Sequence, residues 1–81
     1  QAPVEYPRQA RARGEQGYVV LSLLISAAGE IEKVQVLEAE PAGVFDQAAI
    51  EGVRNWRFEP AQYQGRNVKV WARQRVRFDL S

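Results

Sequence analysis

The stretch "YVVLSLLIS", residues 18 to 26, constrains this chain most. Val19, Leu21, Leu23 and Ile25 fall on one alternating face; Tyr18, Val20, Ser22 and Leu24 fall on the other. A strand that is apolar on both faces belongs in the middle of a sheet, with neighbours on each side and cover above. The rest of the chain must supply those neighbours, and 81 residues suffice for one domain built around one sheet.

"AAGEI" is a Gly-containing turn and "IEKVQVLEA", residues 31 to 39, is the returning strand of a hairpin. Ile31 is out of phase with Val34 and Val36, so either a bulge intervenes or Ile31 belongs to the turn. From residue 41 to 60 the period changes: Phe45, Ala49 and Val53, with Ala48, Gly52 and Trp56, make one apolar stripe at helical spacing, ended by Pro60. In "RNWRFEP", residues 54 to 60, Trp56 closes that stripe and its ring is expected in the core, with Phe58 at the junction where helix gives way to loop.

Gly65 closes a loop, and residues 67 to 80 alternate as one long strand. Val68, Val70, Ala72, Val76, Phe78 and Leu80, interrupted by Gln74, share one face; Lys69, Trp71, Arg73, Arg75, Arg77 and Asp79 share the other. At the front, Pro7 and the run to Gly14 read as one or two helical turns. The expected fold is α+β: a short N-terminal helix, a sheet and one main helix.

Charge is segregated along the chain. Residues 1 to 29 hold three Arg and two Glu, residues 30 to 51 five Glu, one Asp and one Lys, and residues 52 to 81 seven basic and two acidic groups, giving +1, −5 and +5. A net charge of +1 gives the whole molecule no strong pull on polyanions, so a nucleic-acid module, suggested by Lys69, Arg73, Arg75 and Arg77 around Trp71, is a distant alternative. There is no Cys and no His, which removes disulfides, thiolate or imidazole metal sites and His-based triads. The acids lie at solvent-type positions, and Glu59 and Asp79 each have Arg nearby, which suits surface ion pairs rather than catalysis. No enzyme activity and no cofactor is expected. Tyr18 to Ile25 is far too short to span a bilayer.

Four segments in order, "YPRQA" at 6 to 10, "GYVVLSLLISAAGEIEKVQVLEAEP" at 17 to 41, "VFDQAAIEGVRNWRFEPA" at 44 to 61 and the closing "VKVWARQRVRFDL", resemble the C-terminal domain of TonB-type energy transducers. The resemblance runs from Tyr6 to Leu80. It implies a helix on a three-stranded antiparallel sheet with the first strand central and the last at an edge. It also implies that residues 1 to 81 form one domain, that residues 1 to 5 are a flexible lead-in, and that a membrane helix and Pro-rich linker stand upstream.

For function, the resemblance implies a periplasmic domain of a protein anchored in the bacterial inner membrane. Such a domain pairs with the TonB box of outer-membrane transporters for siderophore, haem or vitamin-type ligands and delivers proton-motive force from ExbB and ExbD. The expected grip is strand addition along the backbone of Val68 to Arg75, with Arg66, Val68, Lys69, Val70, Trp71, Ala72, Arg73 and Arg75 as the peptide-binding set. Tyr6, Arg8 and Arg11 are further receptor-contact candidates. Here the chain departs from better-known members, carrying Pro3, Val4 and Glu5 where those have glutamines before Tyr-Pro. A TonB-like or TolA-like envelope adaptor with another protein partner is the alternative. The isolated domain is expected as a monomer or weak dimer. The apolar second sheet face, Tyr18, Val20, Leu24 and Trp71, is expected to lie under the N-terminal turns, or else to serve as a partner or dimer face.

Overall fold

The computed structural model describes residues 3 to 81. The elements are α1 (Arg8–Ala12), β1 (Gly17–Ile25), β2 (Ile31–Glu40), α2 (Asp46–Val53), β3 (Ala61–Tyr63), β4 (Arg66–Val68) and β5 (Val70–Phe78). The main sheet is antiparallel in the order β2-β1-β5, so the doubly apolar β1 is central, and the α+β architecture expected from the sequence is the one observed. No helix among the described residues is long and apolar enough to cross a membrane.

The β1–β2 turn is held by Ser26. Its amide donates to the Glu30 carbonyl at 2.8 Å, and its hydroxyl accepts the amides of Ala28 and Glu30, both at 3.1 Å. The pairing then slips twice. Leu24 faces Lys33 while Ile25 faces Ile31, leaving Glu32 extra; Val20 faces Glu38 while Leu21 faces Val36, leaving Leu37 extra. Both bulges lie on β2. The first accounts for the broken phase at Ile31.

The core forms where the helix-facing side of the sheet meets α2. Val19, Leu21 and Leu23 of β1 are fully buried with Phe45, Ala49 and Val53, and Val76 and Phe78 of β5 join them. Each large side chain removed from water contributes about 1.5–3 kcal/mol. The stripe Phe45–Ala49–Val53 is therefore as expected, but α2 itself stops at Val53 rather than running to residue 60. Beyond it Trp56 and Phe58 are half-buried against the core from irregular chain, with ring centroids 6.3 Å apart. Their placement comes from pairing with the hairpin tip: Phe58 N donates to Gly29 O at 2.9 Å, and Arg57 bridges to Glu30.

The N-terminal segment packs on the helix side of the sheet, not across its other face. Tyr6 stands edge-on to Phe45 and Phe78, at 5.6 and 5.7 Å between centroids, and those two rings stack on each other at 4.4 Å. The Tyr6 hydroxyl donates to the Glu15 carbonyl. Ala10 of α1 is buried in the same cluster. Val4 also packs there, over Gly52, so the expected flexible lead-in is tied down at least from this residue; its first part, residues 1 and 2, lies outside the described residues. The expectation that the N-terminal turns cover Tyr18, Val20, Leu24 and Trp71 is thus overturned: those turns are engaged with Phe45 and Phe78.

The final strand is also not continuous. β4 pairs with β3 as a separate two-stranded hairpin, turned at Gln64 and Gly65 with both φ positive, and β5 begins only at Val70. Lys69 lies at the break.

Candidate functional site

A strand can accept a partner's backbone only where one of its edges is unpaired and its ladder is regular. β5 meets both conditions. It runs through nine consecutive pairs with β1, from Gly17↔Phe78 to Ile25↔Val70, without a register shift. On its other side it pairs with no strand among the described residues. The opposite edge of the sheet, β2, is kinked at Glu32 and Leu37.

β5 presents two different rows along this edge. On the helix side stand Val70, Ala72, Gln74, Val76 and Phe78; on the far side stand Trp71, Arg73, Arg75 and Arg77, opposite Leu24, Ser22, Val20 and Tyr18 of β1. Trp71 is 50% exposed. Neither Arg73 nor Arg75 has a carboxylate at ion-pair distance among the described residues. The Arg75 guanidinium lies 4.5 Å from the centre of the Tyr18 ring, whose hydroxyl donates to Glu38. That hydrogen bond, then loss of water and the Glu38 charge, hold the Tyr18 phenol above its usual 10.0 against the opposing pull of Arg75.

Of the residues expected to form the peptide-binding set, Val70, Trp71, Ala72, Arg73 and Arg75 are together on β5. Arg66 and Val68 are not: they belong to β4, paired with Tyr63 and Ala61. Lys69 is held by Glu32 at 2.8 Å. The uninterrupted edge therefore starts at Val70, two residues later than expected.

Tyr6, Arg8 and Arg11 take a different position from the strip. Arg8 and Arg11 border a groove of about 690 Å³ against α2, lined also by Val44, Gln47, Ala48 and Glu51 and by no residue of β5. Tyr6 alone reaches β5, through Phe78. The Arg11 guanidinium lies 4.9 Å from the Tyr6 ring centre. Burial is the main cause holding the Tyr6 phenol above its usual 10.0, and Arg11 opposes it. Sequence reasoning missed Glu32 and Glu38 as partners of this region, because two bulges decide which β2 residues face β1.

No group of three or more His, Cys, Asp or Glu that could hold a metal ion occurs among the described residues. Asp79 is paired with Arg77 at 3.3 Å, as a surface ion pair. The arrangement offers a backbone edge with a cationic border, which can bind an extended chain.

Comparison with known proteins gives this geometry a context. The family model for the Gram-negative bacterial TonB protein C-terminal matches residues 2 to 80. The chain is 42% identical over 72 residues to Protein TonB of Pseudomonas aeruginosa, covering 89% of this chain and 20% of that protein. It is 34% identical over 80 residues to Protein TonB of Vibrio cholerae, covering 99% of this chain and 33% of that one. The solution NMR structure of the Pseudomonas aeruginosa TonB C-terminal domain superposes with a TM-score of 0.81 at 37% identity, over 96% of this chain and 79% of that one. The tonb2 protein of Vibrio anguillarum gives 0.73 at 26% identity, over 98% and 76%. The chain spans a fifth to a third of the length of these curated relatives. With a family match over nearly every residue and the same three-stranded sheet and helices, this chain belongs to the TonB C-terminal domain family.

Proposed function

We propose that this domain is the receptor-binding end of a TonB-type energy transducer, and that the outer edge of β5 takes the TonB box of an outer-membrane transporter as an added strand. The observation that carries this reading is the contrast between the two edges: β5 is regular for nine pairs, and β2 is bulged twice. An incoming extended segment pairs its N–H and C=O groups with the regular edge, and its alternate side chains fall beside the Trp71/Arg73/Arg75 row or beside the Val70/Ala72 row. Backbone pairing tolerates varied sequences, which suits one adaptor serving several transporters.

In this reading the domain acts in the periplasm, and the parent protein is anchored in the inner membrane and driven by ExbB and ExbD. Its transporters would carry siderophore, haem or vitamin-type ligands. Binding and pulling, rather than catalysis, is the work.

The test is a backbone-amide NMR titration of the labelled domain with short TonB-box peptides. Shifts concentrated on residues 70 to 77 are expected. A flat response to several such peptides, or shifts centred on β2, would overturn the reading.

A further inference from the structure

The face of the sheet turned away from α2 has an order that its composition alone hides. Across the three strands, from β2 through β1 to β5, the register sets four levels: Glu40–Tyr18–Arg77, Glu38–Val20–Arg75, Gln35–Ser22–Arg73 and Lys33–Leu24–Trp71. Acid or amide stands on β2 wherever a guanidinium stands on β5. At the fourth level an ammonium stands across from an indole. Between the two borders runs the less polar β1 column, with Leu24 half-buried and Trp71 beside it 50% exposed. Among the described residues, α1, α2 and Tyr6 all pack on the other face.

We propose that this face binds a second copy of the same chain, face to face, about a two-fold axis parallel to the strands. Two sheets can meet face to face about a two-fold axis in two simple ways. With the axis across the strands, β5 lies over β5 in reversed order, and Arg75 meets the partner's Arg73 twice over, a like-charge contact at the centre of the interface. With the axis along the strands, β5 lies over the partner's β2 at the same level. Arg77 then meets the partner's Glu40, Arg75 the partner's Glu38, Arg73 the partner's Gln35, and Trp71 the partner's Lys33. Each contact occurs twice, as a closed isologous interface requires. Aligned packing of twisted sheets is a common geometry. Arg73 and Lys33, which lack an ion-pair partner among the described residues, gain an amide and an indole face respectively.

The interface is small. Eight residues at about 3.4 Å by three strands at about 4.8 Å give a footprint of about 400 Å² per copy. That is half the ~800 Å² per partner of a standard stable complex, so association is weak and salt-sensitive. It leaves the outer edge of β5 open and does not depend on the peptide reading.

Sedimentation over a concentration series at low salt tests it, with Arg75→Glu, Glu38→Arg and their equimolar mixture beside the unaltered domain. The unaltered domain associates as concentration rises. Each single variant places like charges together twice and loses association about tenfold or more. The mixture recovers it, because Glu at 75 then meets Arg at 38 and the native Glu38 meets the native Arg75. Amide spectra of each variant establish that it is folded. An unaltered domain that stays monomeric throughout, a variant that associates undiminished, or a folded mixture that fails to recover association would overturn the proposal. Strand exchange through β5 would survive both charge reversals and counts among the overturning results.

Discussion

The Phe58 amide donates to the Gly29 carbonyl at 2.9 Å, and a methyl group placed on Gly29 would lie 2.0 Å from the Phe58 carbonyl oxygen. Gly29 also has φ of +83°. The tip of the β1–β2 hairpin is thereby welded to the Trp-Arg-Phe segment by backbone alone, with the exposed Arg57–Glu30 pair at 3.8 Å beside it.

Gly29→Ala should consequently cost about 2–4 kcal/mol, since the left-handed backbone and the clash act together. Gly65→Ala, where φ is +77° but nothing lies within 4 Å, should cost only about 1 kcal/mol. Urea unfolding of both variants checks the difference; equal losses would mean that the Phe58 approach does not matter.

Tyr6→Ala removes a ring standing edge-on to both Phe45 and Phe78. A loss of roughly 2–3 kcal/mol is expected, below the 3–5 kcal/mol range for wholly buried rings because Tyr6 is half-buried. Tyr6→Phe keeps the packing and loses only the hydrogen bond to the Glu15 carbonyl, about 1 kcal/mol. Thermal unfolding should rank the three proteins in that order.

Along β5, successive N–H groups point to opposite edges. Of the neighbours Arg73→Pro and Gln74→Pro, one deletes a bond to β1 and destabilises the sheet. The other deletes an outward donor, leaves the domain folded and weakens TonB-box peptide binding by about tenfold. Amide spectra and a peptide titration on the pair separate the outcomes. A folded variant at either position that binds undiminished, with its partner unfolded, would exclude the outer edge.

Both Tyr6 and Tyr18 hold their protons more tightly folded than unfolded. The stability this gives is fully present below the usual 10.0 and is lost as pH rises through the folded values. Melting temperature should therefore fall as pH rises above the usual 10.0, and Tyr18→Phe should flatten that fall. A Tyr18→Phe curve parallel to that of the unaltered domain would mean that the Glu38 bond contributes nothing.

The central place of β1 was legible because burial on both faces leaves its mark in eight residues. The bulge near Ile31 was legible as a broken phase, and so in principle was the second, where Val36 and Leu37 stand adjacent and the apolar period resumes at Ala39. The break at Lys69 was not: Val68 and Val70 keep the same alternation whether the strand continues or changes partner. The length of α2 was overread for a similar reason, since Trp56 lies in phase with Val53 although the chain has already left the helix and is held by the hairpin tip. Which sheet face the N-terminal segment covers depends on Tyr6 finding Phe45 and Phe78, pairings far apart in sequence that no local pattern encodes.

The two bulges of β2 have a consequence for assembly through sheet edges. A fibre of stacked sheets needs a usable edge on each side of every subunit, so that growth is head to tail and has no end. Here one side is broken at Glu32 and Leu37, and only β5 is regular. Pairing between copies through β5 is like with like and stops at two, so edge pairing alone cannot grow a fibre of this domain.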